Sequence, residues 1–149
     1  MYVAQFNISK ERESLDHPLM RDFVDRLAPV NVIADAWDGF VWRLQDDSGN
    51  ATAIRTYEDP TIIFNLSVWK TVAHLKDYVY QSGHADVLRQ RLKWFETWDR
   101  PSYVLWWVPE DERPSLEEAK HRLAFLQDNG PSAYAFSFTD VHEPAADHE

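Results

Sequence analysis

The chain has 149 residues, which suits one domain and hardly two. Its formal net charge of −10 argues against a nucleic-acid partner, and no basic amphipathic stretch offers itself to a membrane surface. The absence of cysteine removes disulfides, thiolate nucleophiles and Cys-based metal sites together.

At 44% hydrophobic residues the chain can bury a proper core. Seven Trp and eight Phe make a heavy aromatic load, which points to a pocket, an interface or both. The start at Met1 has no basic segment followed by a long apolar one, so no signal peptide is expected. No apolar run approaches the roughly 20 residues that span a bilayer. With no cysteine besides, a cytoplasmic protein is expected.

In chain order, Tyr2 to Ile8 alternates as a strand, with Tyr2, Ala4, Phe6 and Ile8 on one face and Val3, Gln5 and Asn7 on the other. Helical spacing follows: Leu19, Phe23 and Leu27 form one stripe, and Val30, Ile33, Ala34 and Trp37 a second. Pro29 between them predicts a kink or a break. Gly39 opens a strand over 40–44, which stops at the turn signal of 46–50. An edge strand over 51–57 is expected next, then a clearer one over 61–68. The latter sets Ile62, Phe64, Leu66 and Val68 against Ile63, Asn65 and Ser67. Residues 69–81 read as a helix stopped by Gly83, and a further helix spans about 84–97. Residues 102–109 form a strongly apolar strand. Ser115 and Glu118 make a capping box that starts a helix carrying Leu116, Ala119, Leu123 and Leu126, ended at Gly130-Pro131. Residues 133–138 read as the last strand, and 139–149 as an acidic, flexible tail after a domain of residues 1–138.

Strands interrupted by helices around a central hairpin predict an α+β fold. The expected form is a ferredoxin-like split βαβ antiparallel sheet with helices on one face. The helices are expected on the apolar face. The other face gathers Gln5, Asn7, Arg43, Asn65 and Ser67. Large aromatics on both sides of 103–108 and in 134–138 add walls, and a second copy stacking there would close a small-molecule pocket.

The segments Gly39–Leu44, Asn65–Trp69, His84, Arg91–Phe95, Leu105–Pro109 and Ala135-Phe136 resemble the family called domain of unknown function 3291. The resemblance runs from Val3 to about Phe138. That family is similar to the dimeric α/β-barrel superfamily, which includes antibiotic-biosynthesis monooxygenases, heme-degrading monooxygenases and ligand-binding stress proteins. The resemblance implies the dimeric α/β-barrel fold and a homodimer, and no particular reaction. Heme-degrading members carry an Asn on the first strand, a Trp where the third strand becomes a helix, and a His on the helix that follows. Asn7, Trp69 and His84 hold those places in the element order.

Read for their chemistry, His84 can serve as base, acid or heme ligand near neutrality. Arg43 needs a partner on a central strand and has the planar fork to clamp a carboxylate or enolate. Asn7 and Asn65 suit a substrate oxygen or an oxyanion. Ser67 and Trp69 would line the substrate pocket. Arg91 lies seven residues after His84, on one helical face with it, and suits an acid group. Trp106 and Trp107 lie on opposite faces, so one of them is expected in the pocket, and Trp107 is the choice. No metal set is expected: His142, Glu143 and His148 lie in the acidic tail, and His17, His74 and His121 lack ligand spacing. The four glycines sit at turns or helix ends, so no phosphate-cradling loop exists.

The expected function is a monooxygenase-like enzyme acting on a planar, apolar, oxygen-bearing molecule, either cofactor-free or heme-dependent. Its catalytic residues would be His84, Asn7 and Arg43. A non-catalytic ligand- or heme-binding dimer is the alternative, as is a cyclase or isomerase using the same pocket.

Overall fold

The computed structural model describes residues 1–45, 57, 59, 61–81 and 89–144. The edge strand expected over 51–57 lies outside the described residues except for Tyr57. So do Gly83 and His84.

Strand β1 is Tyr2–Lys10, helix α1 Arg21–Ala36, β2 Phe40–Arg43 and β3 Ile62–Trp69. Helix α2 is Val72–Gln81, α3 the single turn Arg91–Trp94, β4 Tyr103–Val108 and α4 Leu116–Asn129. The sheet runs β2-β3-β1-β4, with every neighbouring pair antiparallel. With α1 after β1 and α2 after β3, this is the ferredoxin-like split βαβ arrangement that the element order predicts.

Two chain reversals depend on local chemistry. Ser115 caps α4 by accepting the Glu118 amide at 3.1 Å, as the capping box requires. Gly39, at φ +87°, lets the chain turn from α1 into β2. A side chain there would also run into the His74 ring.

Helix α1 runs unbroken through Pro29, where a kink or break is predicted. Pro29 is solvent-exposed, so the Asp25 carbonyl that loses its helical donor can turn to water instead. The last strand is shorter than its sequence suggests. Turn bonds between Ser132 and Ala135 at 2.8 and 3.2 Å fold the chain back. Only Phe136 then reaches β4, exchanging both backbone bonds with Leu105 at 2.8 and 2.9 Å.

The distribution of helices over the two faces differs from the expectation. The helices α1 and α2 of the split βαβ share a face, but it is the polar one. Ala34, Leu75 and Tyr78 from these helices cluster with Val3, Trp69 and Leu105. The apolar face, with Ala4, Phe6, Leu66, Val68 and Trp106, is instead covered by Ala119, Leu123 and Leu126 of α4. The physical reason lies in the helices. Helix α4 carries a tight apolar stripe that needs an apolar sheet. The face of α1 and α2 mixes Arg26 and Asn31 with apolar groups and leaves space above the polar strand positions. The polar face is therefore covered by helices of its own chain.

Candidate functional site

Between the polar sheet face and helices α1 and α2 lies a cavity of about 220 Å³. Period-two alternation puts Gln5, Asn7 and Ser9 of β1 beside Asn65, Ser67 and Trp69 of β3 on its floor. Arg43 of β2 is opposite Ser67 in register, so a polar row of Arg43, Ser67 and Gln5 crosses three strands. Phe23, Leu27, Val30 and Ala34 of α1 and Leu75, Tyr78 and Val79 of α2 supply apolar cover.

The floor is internally ordered. The Ser67 hydroxyl accepts from Gln5 Nε2 and from Trp69 Nε1, both at 2.9 Å. Gln5 Nε2 also donates to Asn65 Oδ1. Gln5 and Ser67 are only 7% and 5% exposed, so these bonds form in a water-poor setting where their loss is costly. Trp69 stacks on Tyr78, with ring centroids 4.9 Å apart and planes at 30°. Together they wall one end of the cavity.

Arg43 is buried and paired. Its Nε and Nη2 donate to the two carboxylate oxygens of Asp35 on α1, at 2.8 and 3.2 Å. This fork ties β2 to α1 and fixes where the guanidinium charge sits. The Tyr78 hydroxyl donates to the Val30 carbonyl at 3.4 Å. Burial holds its pKa well above the ordinary phenol range, with Asp35 pushing the same way and Arg43 opposing. Tyr78 therefore stays neutral and acts as a wall and a donor.

Of the residues chosen from sequence, Asn7, Arg43, Asn65, Ser67, Trp69 and Arg91 all line this one cavity. Asn7 and Trp69 do not meet at one point. Asn7 pairs with Asn65, and Trp69 lies four residues further along β3, about 13 Å at strand rise. They would touch opposite ends of a bound molecule. Trp107 is not in the cavity. It lies on the same sheet face, but β4 is an edge strand, and the C-terminal segment docks over it. The Trp107 ring packs on Phe136 at 5.8 Å, and its Nε1 donates to the His142 carbonyl at 2.7 Å. Trp106 is fully buried on the opposite face, so neither tryptophan of the pair lines the site. His84 lies outside the described residues.

Gln5, Asp35 and Tyr78 are functional neighbours that sequence reading did not select. Gln5 was visible as a polar group on the right face. Tyr78 falls three residues after Leu75, on the buried side of α2. Nothing local signals Asp35, because its partner comes from another element. Among the described lining residues there is no His or carboxylate, and no three His, Asp or Glu residues cluster as a metal site. The described lining therefore offers no His to a heme iron. No described helix is long and apolar enough to cross a membrane.

The model of the family DUF3291, a domain of unknown function, matches residues 2–149, and the chain belongs to that family. No curated protein matches the sequence significantly. Among solved structures, a protein of unknown function from Nitrosomonas europaea is similar at 12% identity and a TM-score of 0.51, over 76% of this chain and 95% of that one. A structure named only as a candidate antibiotic biosynthesis monooxygenase, from Chloroflexus aurantiacus, is similar at 14% identity and a TM-score of 0.46, over 76% and 98% of the two chains. The first likeness concerns fold alone, and the second is too distant to bear on function.

Proposed function

We propose that this member of the DUF3291 family is a small-molecule pocket protein whose ligand is a planar, apolar molecule bearing at least one oxygen. The observation that carries this is the cavity itself: aromatic and aliphatic cover over a floor of amides and one hydroxyl already ordered by hydrogen bonds. Apolar walls with a few placed polar groups are the usual composition of a ligand site. The volume of about 220 Å³ suits two or three fused rings.

Monooxygenase-like turnover is the enzymatic form of this reading. A quinol or phenol would lose a proton to His84 or a neighbouring base; its anion would add dioxygen at a ring C–H carbon, and the resulting hydroperoxide would lose water, leaving one oxygen on the ring as the quinone. Asn7 and the Arg43–Asp35 pair would steady the developing negative charge. A cyclase or isomerase would need the same base and the same steadying groups. The non-catalytic form has one observation in its favour: the described lining holds cations, amides and hydroxyls, but no His or carboxylate. The heme-dependent form would take its iron ligand from His84. A homodimer remains part of the reading. Its second copy would stabilise the protein without completing the pocket.

The deciding experiment titrates 2-naphthol into the protein and follows tryptophan fluorescence. Saturable quenching at one molecule per chain, lost on filling the floor with Ser67→Leu, supports the pocket. No quenching by any planar aromatic sinks it. Oxygen uptake with a naphthalene quinol, above the uncatalysed rate and lost in His84→Ala, separates the enzyme from the binder. A hemin titration by absorbance tests the heme form: a Soret band at one heme per chain, displaced in His84→Ala, would revive it.

A further inference from the structure

We propose that the ligand of this cavity is an organic carboxylate, its acid group held at the cavity mouth by Arg26 and Arg91 and its planar body lying inward towards Trp69. This rests on the pocket reading above and names its substrate class.

The first observation is one of charge. The chain has 25 acidic residues against 15 Lys and Arg, yet the described lining contains Arg26, Arg43 and Arg91 and no acidic residue. Asp35 offsets Arg43 and Asp22 partly offsets Arg26, so any attractive field belongs to the guanidinium groups that border solvent at the mouth.

The second observation is position. Arg43 is deep, buried and forked onto Asp35. Its charge is offset, and it serves the floor. Arg26 and Arg91 come from separate elements and both line the cavity. The Arg26 guanidinium sits 5.8 Å from the centre of the Trp94 ring. Arg91 begins the single turn that ends in Trp94. The Trp94 ring in turn packs on Phe23, a cavity residue, at 5.5 Å. Arg91 is exposed and Arg26 half-buried, so both border solvent. Arg26 also meets Asp22 at 3.3 Å. That is a pair one helical turn apart with an exposed carboxylate, and such pairs are weak enough for a ligand carboxylate to compete.

The third observation is the division of labour along the cavity. The neutral groups Asn65, Ser67 and Gln5 are at the floor. Cations stand at the mouth and the Trp69–Tyr78 stack at the inner end. A molecule matched to all three has a flat apolar body, an uncharged oxygen and a terminal acid. Arginine forks recognise a carboxylate in two-point fashion, which a neutral amide cannot reproduce.

The test compares 2-naphthoate with 2-naphthamide, which share shape and differ in charge, by fluorescence quenching of the full chain. Naphthoate is expected to bind roughly tenfold more tightly. Arg26→Gln and Arg91→Gln should each weaken naphthoate by roughly three- to tenfold and leave naphthamide within about twofold. Arg113→Gln, far from the cavity, should change neither. Both target arginines border solvent, so the variants should keep the parent melting temperature. Equal binding of the two probes would overturn the carboxylate assignment and leave the pocket standing. A preference for naphthoate that survives both substitutions would overturn the place of the acid at the mouth. If neither probe binds, and 2-naphthol also fails, the pocket reading falls and takes this inference with it.

Discussion

Two buried polar residues have opposite fortunes. Ser67 receives two N–H donors in the interior, from Gln5 and Trp69. Ser67→Ala removes the acceptor and leaves both donors unsatisfied, at a cost of about 1–3 kcal/mol. Urea unfolding should show a lower midpoint with an unchanged slope. Glu11 is only 6% exposed, and its Oε2 has no hydrogen-bond partner. Burial, and then the charge of Asp59, raises its pKa above 4.5. Because the folded value is raised, Glu11 favours the folded state at low pH. That contribution is fully present below about 4.5 and is lost as pH rises through the folded value. Glu11→Gln is therefore expected to raise the melting temperature at pH 7. The gain should disappear when the melts are repeated below pH 4.5. A gain that is constant with pH would point to packing instead of charge.

At the scale of the element, the ends matter more than the middles. Ser115→Ala removes the cap of α4 and should cost about 1 kcal/mol in unfolding free energy. Because α4 covers the apolar sheet face, the loss should also appear as faster amide exchange in its first turn. Gly39→Ala combines a positive φ with a collision against His74. It should destabilise by roughly 1–3 kcal/mol, more than an exposed Gly-to-Ala change within a helix would alter. Pro29 shows the contrary case. Proline in a helix interior reads as a breaker, but at an exposed position the helix absorbs it. Periodicity and caps set where most of these elements lie. The register of the final segment did not follow them, because the turn at Ser132–Ala135 leaves room for only one bridge to β4.

For the whole molecule, the cavity is closed by helices of its own chain. Ligand affinity should therefore not vary with protein concentration across any monomer–dimer transition. Titrations on both sides of a transition found by sedimentation would check this. An affinity that collapses on dilution would mean that a second copy completes the site.

The sequence by itself determined the element order, the α+β class and the gathering of Asn7, Arg43, Asn65 and Ser67 on one sheet face. These follow from local rules: a period of two in strands, a helical period in helices, and caps and glycines at the ends. It also yielded enough matching segments to indicate the family. Only the tertiary structure decided which helices cover which face. That choice depends on how an apolar stripe such as that of α4 fits a distant sheet, and no local pattern records it. The same holds for Asp35 meeting Arg43, for Tyr78 stacking on Trp69, and for Trp107 being sealed at the edge strand by the C-terminal segment. Each is a contact between different elements, set by the packing of the whole.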